Sequence, residues 1–135
     1  MAGEISEKEQ RIRKVTHLYY SNPKIQKAIL NFSKNRETIP RYFEGFGKRP
    51  DTLEYPGDVF GLVQKGATSF HVSEELWHDP LRISTSLTPQ QFNELREGWD
   101  LLLDIDSKYI DYSKILVELI IKLFKFHGAK NFGIK

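Results

Sequence analysis

The chain of 135 residues contains no cysteine, and this absence excludes both a disulfide framework and a thiolate-ligated zinc site. Long apolar runs are also missing. The longest apolar segments of the chain are far too short to span a bilayer. Residues 1–14 are polar and charged, unlike a signal peptide. We therefore expect an intracellular protein that does not associate with a membrane.

A large excess of charge of either sign is missing as well. Twenty basic and 18 acidic residues give a net charge of +2, which is too small to indicate nucleic-acid binding by itself. Hydrophobic residues make up 39% of the chain and aromatic residues 13%, enough to build a core. The length predicts a single domain over residues 1–135.

Helical spacing and capping residues organise the first part of the chain. Apolar residues in 6–20 repeat at helical intervals and predict a first helix, and Asn22 before Pro23 predicts the start of a second that ends near residues 34–36. Residues 38–58 are rich in proline, glycine and aromatics, which indicates loop or irregular strand.

The middle of the chain is predicted to contain strands. Residues 59–63 and 67–72 favour an antiparallel hairpin, and residues 81–87 favour another strand. Thr88 before Pro89, with Gln91 as the reciprocal partner, predicts a capped helix to about Gly98.

The last part of the chain predicts a strand, a helix and a second strand. Residues 99–106 form the first strand, residues 111–127 a helix with one apolar stripe closed by Gly128, and residues 132–135 the second strand. Such a crossover is nearly always right-handed and parallel. We expect a mixed α/β fold, with a small mixed sheet flanked by helices. Since the second strand has barely begun at Lys135, we expect the domain to be incomplete at its C-terminus.

Asp104 and Asp106 are the strongest candidate site residues. On a strand, side chains two apart project to the same face, so the two carboxylates would lie together while Ile105 points into the packing. Oxygen ligands of this kind suit Mg²⁺ or Mn²⁺. The alternative is that the aspartates do no more than end the strand.

Two other acidic motifs are excluded by spacing. An EF-hand loop would need an oxygen ligand, a glycine and a glutamate where Lys108, Tyr109 and Ile115 stand. A phosphatase with an aspartyl nucleophile would usually continue with Gly-Thr, whereas this chain continues with Ser107 and Lys108.

The chain contains four short motifs in the order Tyr19-Tyr20, Arg36-Glu37, the apolar and hydroxyl run 66–71, and the D-x-D segment 101–108. The order of these motifs resembles the N-terminal part of the catalytic small subunit of the archaeal and eukaryotic type of DNA primase. Together they cover roughly residues 12–135, and only the D-x-D segment is specific by itself.

The resemblance implies template-directed primer synthesis by two-metal phosphoryl transfer. Asp104 and Asp106 would hold Mg²⁺ or Mn²⁺ and form the catalytic pair, while Arg36, Glu37 and Lys108 would contact nucleotide. The alternatives are a solvated helix end for Arg36 and Glu37 and a solvated turn for Lys108. The implied partners are nucleoside triphosphates, a single-stranded DNA template and a second primase subunit or a chain supplying the C-terminal half. Such a protein would be cytoplasmic and nucleoid-associated in a prokaryote or nuclear in a eukaryote.

The chain also departs from the family pattern. The 135 residues contain neither the S-G-x-G-x-H phosphate loop nor the third metal carboxylate, and Thr38-Ile39-Pro40 replaces an aromatic-rich extension. We therefore expect weak metal binding and little or no turnover by this chain alone. One alternative is a non-catalytic primase-like subunit that binds nucleic acid or a partner protein. Another is an unrelated metal-dependent phosphoester hydrolase.

An aromatic cluster and one histidine complete the candidates. Tyr42, Phe43, Phe46 and Tyr55 lie in a glycine-containing loop and could stack bases, although we expect them to pack the flank of the domain. His71, near the end of a predicted strand, is a candidate to face the site.

Overall fold

The computed structural model describes residues 5–134, and its chain divides into two compact units between Leu101 and Leu102. Over the described residues it contains five α-helices, one short 3-10 helix and two antiparallel sheets of two strands each. The expected mixed α/β class is confirmed. The expected single mixed sheet is wrong, because the four strands form two separate antiparallel pairs.

The first unit opens with the two predicted helices, α1 (Glu7–Tyr20) and α2 (Pro23–Ser33). The side chains of Ser6 and Asn22 cap them by accepting hydrogen bonds from first-turn backbone N–H groups, at 3.2 and 3.0 Å. Pro23 has no backbone N–H, but the first position of a helix does not need one, because that N–H would have no partner within the helix. Both helices therefore begin where local chemistry predicts.

The first sheet pairs β1 (Thr38–Arg41) with β2 (Ser69–Val72), and α3 (Pro56–Gln64) lies between them in sequence. The predicted hairpin over residues 59–63 and 67–72 is therefore wrong in its first half. The Asp58 carboxylate accepts hydrogen bonds from the two backbone N–H groups just before α3, at 2.8 and 2.9 Å, and starts a helix instead.

The second sheet pairs β3 (Glu75–Trp77) with β4 (Arg96–Trp99). Between these strands lie a 3-10 helix (Pro80–Arg82) and α4 (Pro89–Leu95). The reciprocal capping of α4 by Thr88 and Gln91 is confirmed, with hydrogen bonds of 2.8 and 3.2 Å. The predicted strand over 81–87 is wrong, because its first residues complete the 3-10 helix and the rest have no regular structure.

The core of the first unit is small and lies around α3. Helix α3 packs against α1 and α2, with the ring of His17 edge-on to that of Phe60 at 4.9 Å. Val59 and Val63, four residues apart on one helical face, are buried there. The other buried apolar side chains in this unit are Leu53, Ala67, Trp77 and Leu95.

The second unit consists mainly of α5 (Ile110–Phe126), which confirms the predicted helix. Gly128 ends it with φ of +88°, and the N–H of Ala129 donates to the carbonyl of Phe124 at 2.9 Å. No residue of α5 is buried, so its predicted apolar stripe is at least partly exposed. Residues 132–134 have no regular structure, so the described residues contain no second strand and no parallel crossover; Lys135 lies outside them.

Among residues 5–134, every α-helix is too short or too polar to cross a membrane.

Gly47 is the position where the fold should be most sensitive to one added methyl group. A Cβ there would lie 2.8 Å from Cγ of the Pro40 ring, and the Gly47 N–H donates to the Pro40 carbonyl at 2.8 Å. We expect Gly47→Ala to lower the free energy of unfolding by about 1–3 kcal/mol, measured by urea denaturation, because the proline ring cannot swing away.

The matched control is Gly61→Ala, because a Cβ at Gly61 in α3 meets no atom within 4 Å. Alanine favours a helix interior over glycine, so this variant should be more stable by about 0.5–1 kcal/mol. Equal effects of the two substitutions would contradict the close approach of Gly47 to Pro40.

Candidate functional site

The two candidate metal ligands lie on an irregular segment that follows β4. Strand β4 pairs with β3 as far as Trp99, opposite Glu75, and one further backbone hydrogen bond joins the Asp100 N–H to the Glu74 carbonyl at 2.9 Å. Residues 100–106 have no regular structure. The predicted strand over 99–106 is therefore wrong beyond Trp99, because β3 offers no further residues to pair with.

Asp104 and Asp106 are both exposed, and Ile105 between them is half-buried. This alternation is the one expected of an extended segment with two carboxylates on one side and an apolar residue on the other. Neither carboxylate forms an ion pair with another described residue.

The donor chemistry of this pair suits a hard divalent cation. Mg²⁺ takes about six oxygen ligands, often one or two carboxylates with water and substrate phosphates completing the shell. Asp104 and Asp106 supply the carboxylates, whereas residues 5–134 contain no cluster of three or more His, Asp or Glu side chains close enough to hold a metal. A divalent cation held by these two carboxylates would need water or phosphate oxygens for the rest of its shell.

Lys108 is exposed and lies on the same segment, two residues after Asp106. A local turn precedes α5, because the Ser107 hydroxyl accepts a hydrogen bond from the Tyr109 N–H and donates to the Tyr109 carbonyl, both at 3.1 Å. The structure thus places three of the five predicted site residues within five positions of one exposed segment.

Arg36 is a buried residue between α2 and β1 rather than a solvated helix end. Its guanidinium donates to the Ser73 carbonyl at 2.9 Å, pairs with the Asp100 carboxylate at 2.7 Å and lies over the Phe32 ring at 4.7 Å. Only 9% of its side chain is exposed. Three partners satisfy a charge that would otherwise be costly to bury.

Glu37 is also buried, and both of its carboxylate oxygens are used by one partner. They accept hydrogen bonds from Nε and Nη2 of Arg49 at 2.7 and 2.8 Å, a two-pronged geometry that orients the guanidinium. The hydrogen bond to Glu37, followed by the attraction of its charge, raises the pKa of Arg49. The Glu37 side chain is 7% exposed and that of Arg49 66%, so the pair presents a guanidinium of fixed orientation at the surface.

Three partners of these residues were not identified from the sequence. The sequence motifs assign no site role to Asp100 or Ser73, and Arg49 lies in the stretch 38–58 that is predicted to be loop or irregular strand. Each lies far along the chain from the residue it contacts, so local spacing carries no signal. A fourth missed residue is Arg96, whose guanidinium lies between the rings of Trp77 and Trp99, at 5.0 and 4.4 Å.

No protein-family model, curated protein or solved structure matches the chain. A functional interpretation therefore depends on the motifs of the sequence and on the geometry of the residues described above.

Substitutions should separate the buried, structural members of this set from the exposed ones. We expect Arg36→Lys to lower the free energy of unfolding by about 1–3 kcal/mol, because lysine cannot reproduce the fork that serves Ser73 and Asp100. Asp104→Asn should change it by less than about 0.5 kcal/mol, since the Asp104 side chain is exposed.

Arg49→Lys is the matched control, because it makes the same arginine-to-lysine change at a guanidinium that is largely exposed. Its cost should stay below about 1 kcal/mol. Urea denaturation of the three variants is the measurement. An Arg36→Lys variant as stable as the parent would show that the buried arginine does not hold this part of the fold.

Proposed function

We propose that this chain carries the metal-binding carboxylate pair of a primase-type nucleotidyltransferase. The observation that carries the proposal is the exposed Asp104 and Asp106 pair with half-buried Ile105 between them. Its support is the motif order of the sequence, in which Tyr19-Tyr20, Arg36-Glu37 and the 66–71 run precede this pair as in the small subunit of DNA primase. On this proposal, the mixed α/β fold is part of a primase-like catalytic domain.

The proposed reaction is attack of a primer 3′-hydroxyl on a nucleoside triphosphate opposite a single-stranded DNA template. When bound, Mg²⁺ or Mn²⁺ would activate the hydroxyl and neutralise charge on the transferred phosphoryl group. Asp104 and Asp106 would hold the ion, and exposed Lys108 would contact phosphate as a mobile cation.

Arg36 and Glu37 have positioning roles in this proposal. Glu37 uses both oxygens on Arg49, so it orients a cation rather than binding nucleotide itself. Arg36, just before β1, contacts Ser73 and Asp100 and so positions the backbone next to Glu37 and its partner Arg49. The proposal retains a second primase subunit, or a chain supplying the remaining ligands, as a partner.

Metal binding at the carboxylate pair is the first test. We expect the chain to bind Mn²⁺ weakly, and we expect a nucleoside triphosphate to tighten the binding because its phosphates complete the coordination shell. Titration followed by electron paramagnetic resonance measures free Mn²⁺. Asp104→Asn and Asp106→Asn should each weaken Mn²⁺ binding at least about tenfold, by analogy with the loss of other ligand-supporting groups.

The matched control is Glu118→Gln, which removes an exposed carboxylate from α5. It should bind Mn²⁺ as the parent does. If all three variants bind Mn²⁺ equally, the pair is not the metal site and the proposal fails.

Nucleotide incorporation distinguishes the remaining alternatives. Any labelled product should require the DNA template, the divalent cation and both aspartates. Cleavage of triphosphate or phosphodiester without template would favour the metal-dependent hydrolase. Template binding that is unaffected by the Asp104→Asn and Asp106→Asn double substitution, with no incorporation, would favour a non-catalytic primase-like subunit.

A further inference from the structure

The outward face of the β1–β2 sheet carries an exposed aromatic ring flanked by two nitrogen-bearing side chains. Ile39 is opposite His71 and Arg41 is opposite Ser69, so these four side chains share one face, while Thr38 and Pro40 point inward and are buried. Phe46 forms an isolated bridge with Arg41. We call Arg41, Phe46 and His71 the aromatic platform.

The ring of Phe46 is held in place and stays largely exposed, although the Arg41 guanidinium lies over one of its faces. The Arg41 guanidinium lies 4.6 Å from its centroid, and the His71 ring meets it edge-on at 4.9 Å. Even so, Phe46 is 56% exposed. We expected all four aromatic residues of this loop to pack the domain, which is wrong for Phe46 and for Tyr55, which is 67% exposed.

The backbone beneath the ring is fixed by close contacts. The Tyr42 N–H donates to the Gly45 carbonyl and the Gly47 N–H to the Pro40 carbonyl, both at 2.8 Å, on either side of Phe46. The ring is therefore presented from a defined turn. An exposed aromatic held in this way loses little conformational entropy when a flat ligand stacks on it.

Arg41 differs from the other arginines that stack on aromatic rings. Arg13, Arg36 and Arg96 also pair with a carboxylate, from Glu9, Asp100 and Glu75 respectively. Within residues 5–134, no carboxylate lies within ion-pairing distance of Arg41. Arg41 is half-buried beside an exposed ring, and exposed Lys48 follows Phe46 by two residues.

We infer that the aromatic platform binds single-stranded nucleic acid, with a base stacked on Phe46 and a phosphate contacted by Arg41. Stacking on an exposed ring and attraction of the backbone to an unpaired cation are the two components of such binding. A purely acidic partner would use the cations but not the ring. The inference rests on the proposed function in one respect, which is that the bound nucleic acid is identified as the DNA template. Binding at the platform itself does not depend on Asp104 and Asp106, because these residues lie elsewhere in the sequence.

The test is fluorescence anisotropy of a labelled oligothymidylate of about 16 nucleotides, titrated with the full chain in EDTA. EDTA removes any contribution from a metal at Asp104 and Asp106, so failure here and failure of the metal site are measured separately. We expect Phe46→Leu to weaken binding about tenfold and Phe46→Tyr to retain it, because only tyrosine keeps an aromatic face.

Arg41→Gln should weaken binding and reduce the dependence of log K on log salt concentration by about one, as expected for loss of one phosphate contact. Tyr55→Leu is the matched control, since it removes another exposed aromatic outside the platform, and it should bind as the parent does. Circular dichroism and urea denaturation check that each variant is folded.

Three results would overturn the inference. One is the absence of oligothymidylate binding by the parent chain at low salt. Another is equal affinity of the Phe46→Leu variant and the parent. The third is binding of poly-glutamate, but not of oligothymidylate, with the same dependence on Arg41, which would identify the surface as a site for acidic protein segments.

Discussion

The buried guanidinium of Arg36 is the interaction on which the first unit depends. It contacts Phe32 in α2, the Ser73 carbonyl just after β2 and the Asp100 carboxylate just after β4. These partners belong to a helix and to the ends of both sheets, and no strand pairing joins the two sheets within residues 5–134. A buried charge stripped of any of them would be left partly unsatisfied, so the arginine enforces one arrangement of the three elements.

This arrangement also determines where the candidate site segment begins. Asp100 is held twice, by its carboxylate on Arg36 and by its N–H on the Glu74 carbonyl. Four residues later, Asp104 forms no ion pair with a described residue and lies on irregular backbone. The three residues between Asp100 and Asp104 are exposed leucines without regular structure, so strand pairing does not fix the two carboxylates. On the proposed function this suits Mg²⁺, because that ion imposes its own octahedral shell on its ligands.

Local signals predicted four of the five described helices, all but α3, and predicted the strands poorly. Asn22 with Pro23, Thr88 with Gln91, and Gly128 each specify a helix end through atoms a few residues away. Strand pairing instead depends on residues far along the chain. Thr38 pairs with Val72, and β4 ends at Trp99, opposite the first residue of β3. For the same reason, the spacing of Asp104 and Asp106 identified candidate ligands, whereas the partners of Arg36 and Glu37 could not be found from the sequence.

The arginines that stack on aromatic rings differ in their other partners. Within the part of the chain that the structure describes, some also pair with a carboxylate, whereas Arg41 does not. A guanidinium between a ring and a carboxylate, as in Arg36 and Arg96, has its flat face on the ring and its charge next to the carboxylate. Arg41 has its face on Phe46, while no described carboxylate pairs with its charge. Since the charge balance over the whole chain is close to neutral, the net charge does not indicate a partner, whereas a stacked arginine without a carboxylate among the described residues, such as Arg41, marks one local site. Net charge averages over such positions, and for this reason composition alone left the partner undecided.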